Sequence, residues 1–273
     1  MTSLPTNATT TAPEFGRIWF DLLNSGPISE DPGSLLTGET VLPDGRTAAL
    51  AAVVPAPNSP FPRARQGEVG LRESLSLASW VASLDNPDKP LVLIIDVPSQ
   101  AYGYVEELFG LNTTMATSVQ AIASARLADR PVVSLVVGKA ISGAFLSTGL
   151  QANRIVMLDH DGVQVQVMGK QAAARITRRT VDEMEKIAET FPATAFDGAS
   201  FTTLGAVFET VVPKSAGSPG DEDSASALAA VGRAVDDILN SSGNDLRCRV
   251  ESEAARTARA QSLLVRDAVN AQW

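Results

Sequence analysis

Apolar residues along the chain recur with two different periods, and the alternation between them predicts an α/β fold. Two continuous apolar runs, at residues 90–96 and 132–137, are typical of strands buried on both faces of a mostly parallel sheet. Between them, apolar residues at 105–127 recur every three or four positions, as on one face of a long helix. A strand, a crossover helix and a second strand form a βαβ unit, whose two strands end at the same edge of the sheet.

Shorter patterns extend this alternation towards both ends of the chain. They predict helices within 13–36 and at 68–84, 170–179, 181–190, 225–239 and 246–269, strands at 48–54, 153–158 and 163–167, and a short helix and strand within 201–212. Thr180, with Glu183 three residues later, predicts a capping box. Residues 55–70 carry four prolines and two glycines and are expected to form a long loop.

The composition is typical of a globular chain that does not bind nucleic acid. Of the 273 residues, 44% are apolar and 19% are charged, and the net charge of −9 argues against electrostatic binding to nucleic acid. No apolar run reaches the roughly 18 residues of a membrane span, so no membrane partner is expected. We predict a disordered arm at 1–13, one domain at 14–213, and a linker with C-terminal helices at 214–273. The arm lacks the basic and apolar parts of a secretory signal.

Two turns rich in small residues follow the two buried strands and are the predicted site. Gly138 to Gly149 contains Ser142, Gly143 and Ala144 and leads into helix-compatible sequence, which leaves backbone N–H groups unpaired at a helix start. Such groups suit an anion, or a carbonyl oxygen that gains charge. The other turn, at 98–103, follows the strand at 90–96, and both turns are expected to face one pocket. The alternative interpretation of an isolated Ser-Gly-Ala sequence is structural: its small residues allow a helix and a strand to pack tightly together.

The chain has one histidine, His160, and one cysteine, Cys248. A single cysteine excludes an internal disulfide, which agrees with a reducing compartment, and we expect the cytoplasm. No His/Cys zinc site is expected, and nucleophilic catalysis of the Ser-His or Cys-His kind would have to use His160. Because Asp159 and Asp161 flank it, His160 is expected in a solvated turn. Other chemistry would rest on carboxylates, lysines or backbone dipoles.

Several motifs in the region 42–213, taken together, resemble those of a known protein family. They are Asp-Val-Pro-Ser-Gln-Ala-Tyr-Gly at 96–103, Gly-Lys-Ala-Ile-Ser-Gly-Ala-Phe at 138–145, Phe-Pro-Arg-Ala-Arg at 61–65, Gly-Glu-Val-Gly-Leu at 67–71, Gly-Leu-Gln-Ala-Asn-Arg at 149–154, Met-Gly-Lys at 168–170 and Ala-Arg-Ile-Thr-Arg-Arg at 174–179. In combination they resemble the C-terminal half of biotin-dependent acyl-CoA carboxyltransferases. The closer resemblance is to the gamma subunit of biotin-independent malonate decarboxylase. No Met-Lys-Met biotin-attachment motif occurs.

This resemblance implies a ClpP/crotonase-like spiral of ββα units with C-terminal helices. It implies that the chain pairs with a homologous beta subunit and that their interface forms the active site. The implied substrate is a malonyl thioester carried on the CoA-derived prosthetic group of an acyl carrier protein, with no cofactor or metal bound by this chain itself. The implied products are the acetyl thioester and carbon dioxide.

The resemblance also assigns roles to residues of the two turns. The predicted catalytic residues are Gly143 and Ala144, whose N–H groups form an oxyanion hole, together with Ser142, Ser99, Gln100 and Gly103. In the carboxyltransferases each half carries such a hole; without biotin, this one is expected to grip the departing carboxylate or orient the carbon dioxide. The predicted substrate-binding residues are Pro98, Ala101, Tyr102, Lys139 and Lys170. The enolate carbon then needs a proton, for which Tyr102, Lys170, water and the other subunit all remain open.

Three other functions stay open on the sequence. Ser142 stands where many carboxyltransferases have glycine, and Ser-Gly-Ala-Phe is similar to the nucleophile turn of Clp proteases, so a serine hydrolase using Ser142 and His160 is one rival. A non-catalytic scaffold that only binds the beta subunit is the second. An acyl-CoA hydratase or isomerase is the third, and its nearest carboxylates, Glu106 and Glu107, are expected to be helix-start residues.

Overall fold

The computed structural model describes residues 14–30, 34–241 and 246–273. The arm predicted at 1–13 lies outside these ranges. The strands are β1 (Ser29–Glu30), β2 (Leu35–Val41), β3 (Thr47–Val53), β4 (Leu91–Val97), β5 (Val132–Ile141), β6 (Arg154–Leu158), β7 (Gln164–Gln166) and β8 (Glu209–Val211). The helices are α1 (Phe15–Leu23), α2 (Leu71–Ala82), α3 (Tyr104–Leu108), α4 (Leu111–Leu127), α5 (Ser142–Ser147), α6 (Lys170–Thr177), α7 (Val181–Thr190), α8 (Gly198–Thr202), α9 (Asp221–Asn240), α10 (Cys248–Glu251), α11 (Glu253–Ala258) and α12 (Ala260–Asn270).

One sheet of eight strands organises the described chain. Its order is β1-β2-β3-β4-β5-β6-β8, and β7 pairs with the far end of β5. Pairing is antiparallel from β1 to β3. It is parallel from β3 to β8, and this parallel part is what the apolar runs at 90–96 and 132–137 predict. Residues 132–137 are fully buried, which is the expected state of a strand with helices on both faces. Helices α1 and α9 pack together on this sheet, and α2 and α4 form a second packed pair.

Two predicted helices differ from the structure, and strand β2 was not predicted at all. Strand β2 was not expected, because Gly38 resembles a helix breaker. It is a packing glycine, since a Cβ there would lie 2.1 Å from Asn24 Oδ1, the atom that accepts a hydrogen bond from Glu39 N at 3.0 Å. The helix predicted at 105–127 is divided into α3 and α4 by Gly110, whose φ is +82°. The helix predicted at 246–269 is three short helices, α10 to α12. The capping box at Thr180 and Glu183 is confirmed.

The carboxylate of Asp96 joins three elements at the end of β4. The β4–β5 register shifts between Ile95 and Val97, so Asp96 lies at an irregularity in the ladder. Its Oδ1 accepts a hydrogen bond from Lys139 N at 2.9 Å, and its Oδ2 accepts one from Gly16 N, in α1, at 3.0 Å. A Cβ at position 138 would lie 2.3 Å from Asp96 Oδ1, which explains the glycine that opens the motif at 138–149. Asp96 therefore sets the position at which β5 leaves β4.

Replacing Asp96 by alanine is expected to destabilise the fold by about 3 kcal/mol, because two partly buried N–H groups lose charged acceptors. Chemical denaturation of the wild-type chain and of Asp96→Ala measures the difference. Asp88→Asn, at an exposed turn position, is the control and is expected to stay within about 0.5 kcal/mol of wild type. Equal stability of all three chains would show that Asp96 does not organise this junction.

Candidate active site

The two predicted turns meet in the structure. The N–H of Gly143, in the first turn of α5, donates a hydrogen bond to the side-chain oxygen Oε1 of Gln100, with a nitrogen–oxygen distance of 3.0 Å. This contact arises because β4 and β5 are adjacent parallel strands, with Val97 opposite Ala140, and each turn continues from one of them. The two turns are therefore adjacent, whereas the wall of the cavity beside Ser142 contains no residue of 98–103. That both turns face one pocket stays a prediction.

The turn at 98–103 is held by the loop that precedes α2. Val69 N donates to Ser99 O at 3.1 Å, and Ala101 N donates to Val69 O at 2.9 Å, so Val69 forms a short parallel bridge with Gln100. The loop itself is fixed where α2 begins, because Glu73 accepts hydrogen bonds from Gly70 N at 3.1 Å and from the Ser34 hydroxyl at 3.0 Å. The long loop predicted at 55–70 thus positions Gln100.

The start of α5 is crowded on one side and strained. Ser142 has a φ of +60°, a left-handed conformation that is costly for a residue with a side chain. A Cβ on Gly143 would lie 3.0 Å from Met115 Cε and 3.2 Å from Gln100 Oε1, so a larger residue there must displace one of them. Gly143 and Ala144 lie in the first helical turn, whose N–H groups find no acceptor within the helix. The turn therefore presents backbone donors, one of which Gln100 now occupies.

The other residues predicted in the turn at 98–103 have mostly local contacts. The Ser99 hydroxyl donates to Gln100 O at 2.7 Å, and Ala101 is buried. Pro98 is half-buried where β4 ends, Tyr102 is 62% exposed, and Gly103 caps α3. Of the six residues, only Gln100 reaches the Gly143 turn through a side-chain hydrogen bond.

The two predicted lysines lie in different places. Lys139 is on β5, three residues before Ser142, and pairs with Gln164 on β7. Lys170 begins α6, where its ammonium group forms an ion pair with Glu185 at 2.7 Å and lies 5.7 Å from the centre of the Phe196 ring. Lys170 lines a cavity of about 710 Å³, whereas Ser142 lines a separate one of about 290 Å³. Lys170 therefore does not line the cavity beside Ser142.

Two residues that the sequence did not indicate line the cavity beside Ser142. Gln166, on β7, pairs with Ile141, the residue before Ser142. Arg259 comes from the junction of α11 and α12, and its Nε donates to Leu204 O at 3.2 Å. The alternation of apolar and polar residues at 163–167 predicts β7 but does not tell which strand β7 pairs with. Nothing in the local sequence pattern places Arg259 near Ser142. The remaining wall is mostly apolar: Phe145, Leu146, Val165 and Phe201 belong to it.

His160 is unsuited to activate Ser142. Its Nδ1 accepts a hydrogen bond from Gly162 N at 3.0 Å, so its Nε2 carries the proton and donates to Val137 O at 3.0 Å. The ring also packs on Phe15, with 4.8 Å between ring centres. The turn is confirmed at 160–162, but the expected solvation is wrong, because His160 is half-buried and both of its ring nitrogens are hydrogen-bonded. The structure contradicts the serine hydrolase pairing of Ser142 with His160.

Within the described ranges, no group of three or more His, Cys, Asp or Glu side chains is placed to hold a metal ion. Among the same residues, no helix is long and apolar enough to span a bilayer.

Glu106 is buried at the start of α3, as expected for a helix-start residue. Its Oε2 lies so close to Gly103 that a Cβ added to Gly103 would come within 2.4 Å of it.

The family model for the malonate decarboxylase gamma subunit matches residues 64–273. The chain belongs to this family. The match includes both turns, β7 and the C-terminal helices. A curated relative, the malonyl-S-ACP:biotin-protein carboxyltransferase MADD of Malonomonas rubra, is 34% identical over 189 residues, which are 66% of this chain and 64% of that protein. The chain thus spans just under two thirds of the relative's length.

Solved structures confirm the crotonase-like carboxyltransferase fold of this family member. A chain of a Pseudomonas malonate decarboxylase hetero-tetramer in complex with coenzyme A matches with a TM-score of 0.87 and 42% identity, over 95% of this chain and 100% of that one. A chain of the Pseudomonas MdcD–MdcE hetero-dimer matches over the same shares with a TM-score of 0.83 and 42% identity. Transcarboxylase 12S, at 19% identity and a TM-score of 0.62, shares the fold over 84% of this chain and 41% of its own.

We expect a serine-directed fluorophosphonate probe to leave Ser142 unlabelled, because neither nitrogen of His160 is free to take its proton. Intact-protein mass spectrometry of the treated chain detects the adduct, and a known serine hydrolase serves as the positive control. Labelling at Ser142 that is lost in Ser142→Ala would restore the hydrolase alternative.

Glu73 predicts a pH dependence of stability. Burial raises the pKa of its carboxyl above 4.5 and outweighs the hydrogen bonds from Ser34 and Gly70 that lower the pKa. The folded chain therefore holds this proton more tightly than the unfolded chain does. The stability that the protonated carboxyl contributes is fully present below pH 4.5 and is lost as pH rises through the raised pKa.

Relative to Glu73→Gln, the wild-type unfolding free energy should fall as pH rises from 4.5 towards neutrality, measured by urea denaturation. The exposed control Glu251→Gln should keep the wild-type slope. If the difference in unfolding free energy between wild type and Glu73→Gln does not change with pH, the raised pKa of Glu73 is contradicted.

Proposed function

We propose that this chain, together with a homologous beta subunit, decarboxylates a malonyl thioester carried on an acyl carrier protein. The relative from Malonomonas rubra is named for a malonyl-S-ACP substrate, and the matching Pseudomonas structures are hetero-oligomeric malonate decarboxylases, one of them with coenzyme A. The observation that carries the proposal is the hydrogen bond between Gly143 N and Gln100 Oε1. In this bond the Gly143 N–H donates to a carbonyl-type oxygen.

The reaction needs an acceptor for negative charge. The bond between the α-carbon and the carboxylate carbon breaks, carbon dioxide leaves, and the electron pair moves onto the thioester oxygen as an enolate. N–H groups already aimed at that oxygen stabilise the transition state, by about 3 kcal/mol for one donor. We assign this role to the amides of Gly143 and Ala144. The reaction ends when a proton adds to the enolate carbon.

The role expected for these amides was to grip the departing carboxylate or to orient the carbon dioxide, but the hydrogen bond to Gln100 favours a different role, in which they bind the thioester oxygen. Donors that grip the carboxylate stabilise the charged ground state as well, so they lower the barrier less. The atom now bound to Gly143 is the oxygen of a neutral amide, Gln100 Oε1, which resembles a thioester carbonyl more than a carboxylate. Gln100 must therefore swing away when substrate binds, and its side chain holds the donor in place until then.

An exposed apolar surface next to the Gln100 turn supports the proposal of a partner subunit. It consists of Tyr102, Tyr104, Val105, Leu108 and Phe109, whose exposed fractions lie between 51% and 82%. Large apolar side chains concentrated in so short a segment are typical of a protein interface. A beta subunit on this surface would cover the turn that carries Gln100 and exclude water from the reaction.

The occupied Gly143 amide also favours a second candidate, a scaffold subunit that binds the beta subunit without taking part in chemistry. The two differ in one comparison, the rate of the beta subunit alone against that of the pair. The proposal expects activity only in the pair. For either role we expect the cytoplasm, in keeping with a single cysteine.

Gly143→Leu in the complex is expected to lower kcat by about a hundredfold or more, because the new side chain must displace Gln100 or Met115 and misdirect the amide. Malonyl-thioester turnover measures the loss, and copurification with the beta subunit confirms assembly. Gly217→Leu is the control, since a Cβ there meets nothing within 4 Å and full activity is expected. Wild-type turnover by an assembled Gly143→Leu complex would exclude this turn from the active site.

A further inference from the structure

Helix α6 and the turn after it carry a concentration of positive charge, although the net charge of the chain is −9. Residues 170–180 contain no aspartate or glutamate, and their basic residues are Lys170, Arg175, Arg178 and Arg179. Lys170 forms the ion pair described above. The three arginine side chains are exposed, and none forms an ion pair or a side-chain hydrogen bond with any residue that the structure describes.

We call Arg175, Ile176, Arg178 and Arg179 the basic patch. The side chain of Ile176 is 66% exposed. One arginine at the end of a helix is explained by the negative potential of the helix C-terminus. That potential does not explain three arginines around an exposed isoleucine, whereas arginine beside apolar side chains is typical of a protein interface.

The carboxylates that follow the basic patch in the chain leave it positively charged. Arg179 acts electrostatically on Glu183, but so does Lys186. The Glu183 carboxylate is bound instead to Thr180, because its Oε2 accepts hydrogen bonds from Thr180 N at 2.7 Å and from Thr180 Oγ1 at 3.1 Å. Asp182 is exposed in the first turn of α7 and forms no ion pair among the described residues.

The basic patch lies on a two-helix unit close to α5. Helices α6 and α7 pack on each other around a small core that is separate from the main one and contains Ala173, Ala174, Met184 and Phe196. Only residues 167–169 separate α6 from β7, and β7 pairs with the residues of β5 that precede Ser142. Because α6 has eight residues, it spans about 12 Å. A protein bound at the basic patch would therefore lie near the first turn of α5.

We propose that the basic patch binds an acidic surface of the protein that carries the thioester. The inference rests on the proposed function. A substrate joined to a protein brings a second surface to the enzyme, and that surface needs a binding place outside the site of chemistry. Arginines opposite aspartates and glutamates provide complementary charge, which speeds the encounter and selects the partner. Because the chain as a whole is negative, a local positive surface directs an acidic partner to this place.

Two substrates that differ in their carrier test this in the complex with the beta subunit. One is the malonyl acyl carrier protein, and the other is malonyl-N-acetylcysteamine, a small thioester without a protein part. For Arg175→Glu and for Arg179→Glu, KM for the malonyl carrier protein should rise about three- to tenfold, with kcat little changed. Neither variant should change KM or kcat for the small thioester.

Two further variants make the result specific to charge at this place. Arg175→Lys keeps the positive charge and should keep KM for the malonyl carrier protein close to the wild-type value. Arg256→Glu applies the same charge reversal at an exposed position on α11 and should leave the kinetics of both substrates unchanged.

The remaining outcomes separate the inference from the proposed function. If wild type decarboxylates both substrates but the two reversals leave KM for the carrier protein unchanged, or raise KM equally for both substrates, the inference is overturned while the proposed function stands. Failure of the reversed variants to copurify with the beta subunit would assign the basic patch to the subunit interface and would also overturn the inference. If wild type decarboxylates neither substrate, both fail.

Discussion

The geometry of the predicted site depends on one carboxylate, that of Asp96. Parallel strands β4 and β5 lose their regular register where β4 ends, and Asp96 supplies the acceptor that the ladder lacks by binding Lys139 N. The same carboxylate binds Gly16 N and so fixes α1 on the sheet. Because Gly138 has no side chain, β5 can pass close to Asp96. The end of β5 then turns towards β7 and enters α5 at the point where Gln100 reaches Gly143.

The parallel sheet and the meeting of the two turns were predictable because they depend on long apolar runs and on a general property of such sheets. Continuous apolar strands at 90–96 and 132–137 leave few alternatives to a βαβ unit, and parallel strands end at the same edge. Strand β2 was missed because Gly38 serves packing against Asn24, and sequence alone does not separate a packing glycine from a breaker. Gly110 shows the opposite case, since it does divide a helix.

The contribution of distant segments to the site was beyond sequence reasoning. The C-terminal helices are anchored by Arg249, which donates to Leu150 O at 2.6 Å and to Ala152 O, and burial lowers the pKa of its guanidinium to about 10. This anchor joins α10 to the turn that follows α5, and it brings Arg259 to the cavity beside Ser142. The periodic pattern predicts helices here, but a guanidinium bound to backbone carbonyls far away in sequence has no local signal. The same holds for the pairing of Gln166 with Ile141.

The central claim is that a backbone amide at the start of α5 binds the oxygen that gains charge, and that Gln100 occupies this amide until substrate displaces it. The most direct measurement is a structure of the complex with a malonyl thioester analogue whose carboxylate is replaced by a sulfonate, which cannot leave. We expect the thioester oxygen about 2.7–3.1 Å from Gly143 N, with Gln100 Oε1 moved away. An analogue bound with its thioester oxygen elsewhere, and with the bond from Gly143 to Gln100 intact, would contradict it.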